Sequence, residues 1–185
     1  MKRRKFITTS MLSVPALALG QTSQPPKKNP GKGLVVKANK NRFNEKTKLF
    51  GANPIDIKVS TKDTDGAFSI SEYIGNTKGG PPLHIHLHQD EVFIILEGEI
   101  LFQLGEEQFH LTAGDTVFIP RNVPHAPCQL SDKSRYFYFF TPSGTMEDFF
   151  RGLGELKVDK QATPEQMAKL FADHDMKIVG PPLQF

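Results

Sequence analysis

The chain has 185 residues, 38% hydrophobic and 23% charged, which is typical of one globular domain with short appendages rather than two full domains. Its single cysteine, Cys128, excludes an intramolecular disulfide and a cysteine-based zinc or redox site. Four basic residues at positions 2–5 account for the net charge of +3; without them 19 basic residues face 20 acidic ones, so a nucleic-acid partner is not expected.

Residues 1–20 have the features of an export signal. A basic start is followed by a mildly apolar stretch that ends in small residues before Gln21, where we predict cleavage. The pair Arg3-Arg4, with Phe6 two residues later, is similar to the twin-arginine signal of bacteria, which exports folded proteins. We therefore expect an exported protein, periplasmic or secreted, with no stable membrane insertion after cleavage. An ordinary secretory signal or an uncleaved anchor is the alternative.

Residues 21–47 are predicted to form a linker or N-terminal arm. The first part is rich in Pro, Gly and Lys and offers little apolar surface for ordering. A short strand is expected within it at residues 34–37.

Residues 48–142 contain short apolar runs separated by turn residues, a pattern that favours strands. No amphipathic stretch of helical length interrupts them, which disfavours a parallel sheet with crossover helices and predicts an antiparallel barrel or sandwich. Strands are predicted at 55–59, 67–74, 83–88, 91–96, 99–104, 108–111, 116–119 and 135–141.

The pattern changes to helical after Pro142, so residues 143–185 are predicted to form a helical extension packed on the barrel. A short helix is expected from Thr145, ended by Gly152 and Gly154. Thr163-Pro164 with Gln166 has the form of a capping box that begins a second helix, which runs to about Asp173. A strand at residues 177–179, followed by Pro181-Pro182, is predicted to form an extended tail that closes the chain.

The histidines are concentrated in one part of the chain, since five of the six lie between positions 84 and 125. His84, His86 and His88 alternate, and alternate residues on a strand face the same side. Glu91 is out of phase with them, so it reaches the same point only if residues 87–90 turn or bulge. His125 follows two prolines that would hold its segment rigid.

Three imidazoles and one carboxylate form a nitrogen and oxygen ligand set. Such a set suits Fe(II), Mn, Co, Ni, Cu(II) or Zn, and it suits neither Ca nor Mg. Four protein ligands leave open positions for water, substrate or oxygen if the ion is five- or six-coordinate. The sequence therefore predicts one divalent transition metal.

The same residues fit two motifs in order, and on these the chain resembles the cupins. The first motif is H-x-H, four residues, Glu, six residues and Gly; the second is Gly, five residues, Pro, four residues and His. The matching positions are His84, His86, Glu91 and Gly98, followed by Gly114, Pro120 and His125. Flanking segments, including the run that begins at Gly79-Gly80-Pro81-Pro82, are similar to single-barrel cupins of the quercetin dioxygenase type.

The resemblance implies an all-β fold: a small antiparallel, jelly-roll-like β-barrel with short C-terminal helices. It implies that His84, His86, Glu91 and His125 are the metal ligands, and that Glu91 is also the catalytic base. In the flavonol-cleaving relatives the metal binds the substrate's deprotonated hydroxyl, oxygen adds, and the ring opens with loss of carbon monoxide. Related barrels commonly pair, so a homodimer is expected.

Two functions from different classes remain open. The first is a metal-dependent dioxygenase that takes molecular oxygen and an aromatic or enolic small molecule. The second is a non-catalytic metal- or ligand-binding barrel, or a cupin isomerase. For the first, which needs an oxygen-activating site, Fe, Mn, Ni or Co is preferred and Zn or Cu is the alternative. A protein folded before export takes its metal in the cytoplasm, which favours Fe or Mn over Cu and Zn.

Other polar and aromatic residues have simpler interpretations. His88 is predicted at the rim of the site, and His110 and His174 in solvent. Cys128 is expected to be a small buried residue. The alternating aromatic run at residues 136–140 is expected to fill the core through one of its two faces.

Overall fold

The computed structural model describes residues 32–156 and 162–184. The expected export signal, and the part of the arm before residue 32, lie outside this range. Among the described residues, no helix combines the length and the apolar character needed to cross a membrane.

Eleven strands and two α-helices make up the described part of the chain. The strands are β1 (Thr47–Leu49), β2 (Asn53–Val59), β3 (Ser69–Gly75), β4 (Pro82–His86), β5 (Asp90–Glu97), β6 (Ile100–Leu104), β7 (Glu107–Leu111), β8 (Thr116–Ile119), β9 (His125–Gln129), β10 (Ser134–Thr141) and β11 (Met176–Pro182). The helices are α1 (Met146–Glu155) and α2 (Pro164–Asp173), and both lie between β10 and β11.

The strands form two antiparallel sheets that enclose the core. One sheet has the order β1-β2-β3-β10-β5-β8, and the other has the order β11-β4-β9-β6-β7. Phe93 of the first sheet meets Phe102 of the second, with ring centroids 5.1 Å apart. The predicted antiparallel jelly-roll-like fold with short C-terminal helices is confirmed, although the described strands form two facing sheets and not a closed barrel.

Alternation along β5 and β10 decides which side chains face the core. In β10, Tyr136, Tyr138 and Phe140 are buried, whereas the residues between them are partly exposed on the outer face. In β5, Glu91 and Phe93 are buried in the same way. The sequence did not decide which face of the aromatic run fills the core. In the structure it is the face with even residue numbers.

The first helix is longer than predicted because its glycines are packing positions and do not end it. A Cβ atom at Gly154 would lie 2.8 Å from Thr47 Cγ2, and one at Gly152 would lie 2.9 Å from Leu170 Cδ1. Glycine lets α1 approach β1 and α2 closely. The second helix begins as predicted, with the Thr163 and Gln166 capping box formed.

Several strands differ from the sequence prediction. Residues 34–37 form no strand, and β1 was not predicted. β9 was not predicted because all five of its residues are buried and it contains a proline, so it shows no alternation. β11 is longer than the strand predicted at residues 177–179, and it pairs with β4, so that Ile178 lies opposite His84. The C-terminal segment is thus part of the sheet that carries the histidines.

Candidate metal centre

β4 and β9 bring three histidines together between the sheets. His84 and His86 alternate on β4 and both point inward, and His125 begins β9 directly opposite His84. The ring centroids of His84 and His125 are 4.4 Å apart. One nitrogen from each of the three rings lies within 4.8 Å of the others, and all three side chains are buried.

Glu91 reaches this cluster from the opposite sheet. Its Oε2 atom lies 2.9 Å from Nε2 of His125 and 3.4 Å from Nε2 of His86. β4 ends at His86 and β5 begins at Asp90, so residues 87–89 carry the chain from one sheet to the other. This turn lets the Glu91 side chain point at the same place as the histidines, as the sequence pattern required.

Backbone carbonyls orient two of the imidazoles. Nδ1 of His84 lies 2.9 Å from the Pro82 carbonyl oxygen, and Nδ1 of His125 lies 2.9 Å from that of Val123. A carbonyl oxygen can only accept, so both Nδ1 atoms carry the proton and donate it. The Nε2 lone pairs of His84 and His125 are then free to bind a cation, the usual arrangement of a histidine ligand.

The burial of the site fixes its charge state. Burial lowers the pKa of His84 well below its usual value, and the neighbouring His125 and His86 lower it further, so this imidazole is neutral at pH 7. Burial alone would raise the pKa of Glu91, but its contacts with His125 and His86 outweigh burial and lower the pKa to about 2. The site thus holds a buried carboxylate beside imidazoles.

The donor atoms fit a divalent transition metal. Within the part of the chain that the structure describes, Glu91 Oε2 and His125 Nε2 are buried and have no hydrogen bond of good geometry, although they face each other. Buried polar atoms without partners are costly. A cation bound between these atoms would satisfy both, and an imidazole and carboxylate set suits the metals from Mn to Zn.

An ion pair that the sequence did not reveal fixes the loop before His125. The Arg121 side chain donates to both carboxylate oxygens of Asp90, at 3.0 and 2.9 Å, and the Arg121 backbone N–H donates to Oδ1 at 2.9 Å. These bonds lower the pKa of Asp90 to about 2. They connect the start of β5, next to Glu91, with the segment that leads to His125. No local pattern signals this pair, since its members are 31 residues apart.

A cavity of about 210 Å³ opens onto this centre. His84, His86 and Glu91 lie in its wall, and most of the remaining lining is aromatic or aliphatic. The helices cover one side: the Phe171 ring of α2 stands edge-on to His84 at 5.3 Å. The helices were predicted to pack on the sheets, but nothing in their sequence indicated that they enclose the candidate centre. The cavity can hold a small apolar molecule beside His84, His86 and Glu91.

The other histidines and the cysteine lie away from the centre. His88 and His110 are exposed. His174 is half-buried, and its Nδ1 atom lies 2.8 Å from the Thr145 hydroxyl in an exposed contact. Cys128 is fully buried, as predicted, and burial raises the pKa of its thiol. Tyr73, which the sequence analysis did not single out, lines the cavity.

Comparisons with known proteins agree with the motif assignment. Residues 74–140 match the family model described as "Cupin domain", and this range contains the three histidines and Glu91. The chain is 26% identical over 106 residues to quercetin 2,3-dioxygenase of Bacillus subtilis, covering 57% of this chain and 31% of the relative. It is 39% identical over 57 residues to an uncharacterized protein of Methanocaldococcus jannaschii, covering 31% of this chain and 46% of the relative. The chain thus spans less than half the length of either relative.

Two solved structures share the fold. KdgF from Halomonas sp. superposes with a TM-score of 0.52 at 17% identity, covering 60% of this chain and 94% of that one. An RmlC-like cupin from Shewanella frigidimarina gives a TM-score of 0.51 at 20% identity, covering 64% and 96%. The protein therefore has a cupin-like fold, and the segment that matches the cupin model contains three histidines that could hold a metal.

Proposed function

We propose that the protein is a metal-dependent dioxygenase that acts on an aromatic or enolic small molecule. In this proposal His84, His86, Glu91 and His125 hold one divalent transition metal, with Fe, Mn, Ni or Co preferred. The observation that carries it is that the three histidines come together at one point, and that His84, His86 and Glu91 lie in the wall of a cavity lined mostly by aromatic and aliphatic side chains. The partial likeness to quercetin 2,3-dioxygenase supports the same reaction class.

A metal bound there would supply a Lewis acid for the substrate oxygen and a redox-active site for molecular oxygen. The chain's own residues supply the remaining functions. The two oriented imidazoles keep their lone pairs directed at one point. The Glu91 carboxylate, held ionised, would bind the cation through Oε2 and accept the proton of the substrate hydroxyl on its other oxygen, Oε1. The aromatic walls and the covering helices exclude water and hold the substrate ring.

Oxygen consumption tests the proposal. Protein loaded separately with Fe, Mn, Co and Ni is mixed with a panel of flavonols, and oxygen uptake and carbon monoxide release are recorded. We expect uptake with at least one metal, and a fall in kcat of about 100-fold or more for Glu91→Gln. Exposed His88 provides the control, since His88→Gln should keep the activity. Absence of uptake with every metal would contradict the proposal, and thermal stabilisation by a flavonol without uptake would favour a non-catalytic binding cupin.

We also propose that the protein is exported through the twin-arginine route and carries a metal acquired in the cytoplasm. The proposal rests on the sequence of residues 1–20. Elemental analysis of protein purified from its native cell envelope checks it, and the expected metal is Fe or Mn. Copper in the exported protein would contradict cytoplasmic loading.

A further inference from the structure

The three tyrosines of the chain all lie in the wall of the same cavity. The chain contains Tyr73, Tyr136 and Tyr138 and no other tyrosine. Tyr73 of β3 lies opposite Tyr136 of β10, and their ring centroids are 4.7 Å apart. Tyr138 meets Tyr136 at 5.1 Å and Tyr73 at 6.1 Å. We call this group the tyrosine cluster.

The cluster places hydroxyl groups in an otherwise apolar environment. Phe93 packs against both Tyr136 and Tyr138, and Phe150 stacks on Tyr138 at 5.5 Å. The hydroxyls of Tyr136 and Tyr138 hydrogen-bond to each other, whereas among the described residues the Tyr73 hydroxyl has no such partner. A phenol in such surroundings usually has a polar partner, because a buried hydroxyl without one is unfavourable. Phenylalanine would fill the same space without that cost.

The hydroxyl groups of the cluster can act both as donors and as acceptors. Burial raises the pKa of Tyr73 to about 12, and burial with the neighbouring tyrosines raises those of Tyr136 and Tyr138 further above their usual value. All three phenols are therefore neutral at pH 7. A neutral phenol donates one hydrogen bond and accepts others, which suits a hydroxyl or carbonyl oxygen.

One aromatic side chain, Phe140, contacts both the candidate metal centre and the tyrosine cluster. The Phe140 ring is 5.4 Å from the His86 ring, and the ring of Tyr138, two residues earlier on β10, is 6.0 Å from the Phe140 ring. Alternate residues on a strand are about 6.6 Å apart. A ligand that contacts both the metal centre and the tyrosine cluster would therefore have two oxygen groups separated by an aromatic ring.

The charge of the cavity favours an anionic ligand. Among the described lining residues outside the metal centre, Lys78 is the only one with a charged side chain. Its Nζ atom lies 3.4 Å from the carboxylate of Asp132, and both side chains are largely exposed, so this pair is weak. A divalent cation at the centre would add positive charge. The cavity thus suits a carboxylate or a phenolate.

We propose that Tyr73, Tyr136 and Tyr138 form a second polar subsite for an aromatic anion. One oxygen of this ligand lies at the candidate metal centre, and the tyrosine hydroxyls hydrogen-bond a hydroxyl or carbonyl group on the far side of its ring. The inference rests on the metal centre of the proposed function and not on the proposed reaction. It makes the tyrosines specificity-determining residues, and the ligand class is a small aromatic acid or phenol with a second oxygen group.

Binding to the zinc-loaded protein tests the subsite without turnover. Two pairs of probes differ only in the far-side hydroxyl: para-hydroxybenzoate with benzoate, and para-hydroxycinnamate with cinnamate. Titration calorimetry gives the Kd of each. We expect the hydroxylated member of at least one pair to bind about 5-fold more tightly, the difference that one or two net hydrogen bonds provide.

Tyrosine-to-phenylalanine variants isolate the hydroxyl groups, because they keep the ring and its packing. In Tyr136→Phe, Tyr138→Phe and the triple variant with Tyr73→Phe, the preference should shrink to less than 2-fold, while benzoate and cinnamate bind as before. Zinc content, measured by elemental analysis, should stay unchanged and is the control for the metal centre.

The subsite is wrong if neither pair shows a preference in the unchanged protein, if none of the four probes binds, or if the preference persists in the triple variant. The outcome is separate from that of the proposed function. Suppose that the preference for hydroxylated probes disappears in the tyrosine-to-phenylalanine variants, and that the unchanged protein consumes no oxygen with any flavonol. That result would support the subsite and contradict the dioxygenase.

Discussion

Glu91 and His125 face each other at 2.9 Å, yet they belong to different sheets. Glu91 lies on β5 of the six-stranded sheet, and His125 lies on β9 of the five-stranded sheet. The candidate metal centre therefore spans the interface between the sheets, and a bound cation would link them. Binding of metal and stability of the fold should be coupled, because the cation binds only the folded arrangement.

Removal of one imidazole should abolish tight metal binding. We expect His86→Gln or His125→Gln to weaken the affinity for the metal by at least about 100-fold, since a lost ligand costs more than a lost hydrogen-bond partner of a ligand. The matched control is His88→Gln, which changes an exposed histidine two positions from His86. Competition titration with a metal chelator measures the affinity, and circular dichroism shows that the variants are folded.

The same proteins test the coupling to stability. At a free metal concentration 100 times Kd, the unchanged protein and His88→Gln should gain about 2.7 kcal/mol in the free energy of unfolding. The His86 and His125 variants should gain almost nothing. An equal gain in all of them would show that the metal binds elsewhere.

Gly80 is not a metal ligand, but its close packing should also affect how tightly the centre binds metal. A Cβ atom at Gly80 would lie 1.8 Å from the carbonyl oxygen of Pro127, which is two residues after His125. Neither the new Cβ atom nor the backbone carbonyl oxygen can rotate out of the way. Gly80→Ala must therefore push the segment before β4 away from β9. We expect a loss of about 3 kcal/mol in the free energy of unfolding and at least about 10-fold weaker metal binding.

Gly33→Ala is the control for this substitution, since no atom lies within 4 Å of a Cβ at Gly33. It should change neither quantity measurably. Urea unfolding of the metal-free proteins and chelator competition separate the two effects. Unchanged stability in Gly80→Ala would mean that the two segments are not in tight contact in solution.

A buried ion network on the outer face of the six-stranded sheet should contribute to stability. The carboxylate of Glu72 is 1% exposed, contacts Arg135, and lies 2.7 Å from Nζ of Lys58. Glu72→Gln would leave two cations without this partner, so we expect a loss of about 2 kcal/mol. Asp173→Asn, which breaks the exposed pair with Lys169, should cost less than about 0.5 kcal/mol. Chemical denaturation of both variants gives the comparison.

The contact between Arg42 and Asp63 should make stability depend on pH at the acidic end. Hydrogen bonds from the Arg42 side chain lower the pKa of Asp63 below its usual 3.8 and outweigh burial, which raises it. A carboxyl group with a lowered pKa in the folded state stabilises the protein above its unfolded pKa, and this stabilisation is lost as the pH falls through the folded value. At pH 7, Asp63→Asn should therefore be less stable by about 1 kcal/mol.

The difference between Asp63→Asn and the unchanged protein should disappear as the pH is lowered below 3.8 and Asp63 becomes protonated. Asp65→Asn, at an exposed position in the same turn, should show no such convergence. Urea midpoints between pH 7 and pH 2.5 check both variants. A difference that is constant with pH would contradict the role of the charge.

Local patterns in the sequence were enough to predict the class of fold and the residues that meet at the centre. Alternation of His84 and His86 places both on one face of a strand, and the spacing of the two cupin motifs supplies Glu91 and His125. The capping box at Thr163 fixes the start of α2 through contacts within one turn. Strand alternation and helix capping depend on contacts within a few residues, so the sequence shows them directly, whereas Glu91 and His125 were identified through the resemblance of the two motifs.

Contacts between distant segments were decided only by the tertiary structure. Gly152 and Gly154 are helix breakers by local propensity, but in α1 they allow close packing against α2 and β1. β9 shows no alternation because all five of its residues are buried, and the place of β11 in the sheet is set by its pairing with β4. Asp90 and Arg121, and the tyrosines of β3 and β10, meet across gaps of 31 and more than 60 residues. The sequence thus determined which residue types are available for the chemistry. The packing of the two sheets and the helices determined which of these residues share one cavity, because a shared cavity depends on contacts between distant segments that no local pattern encodes.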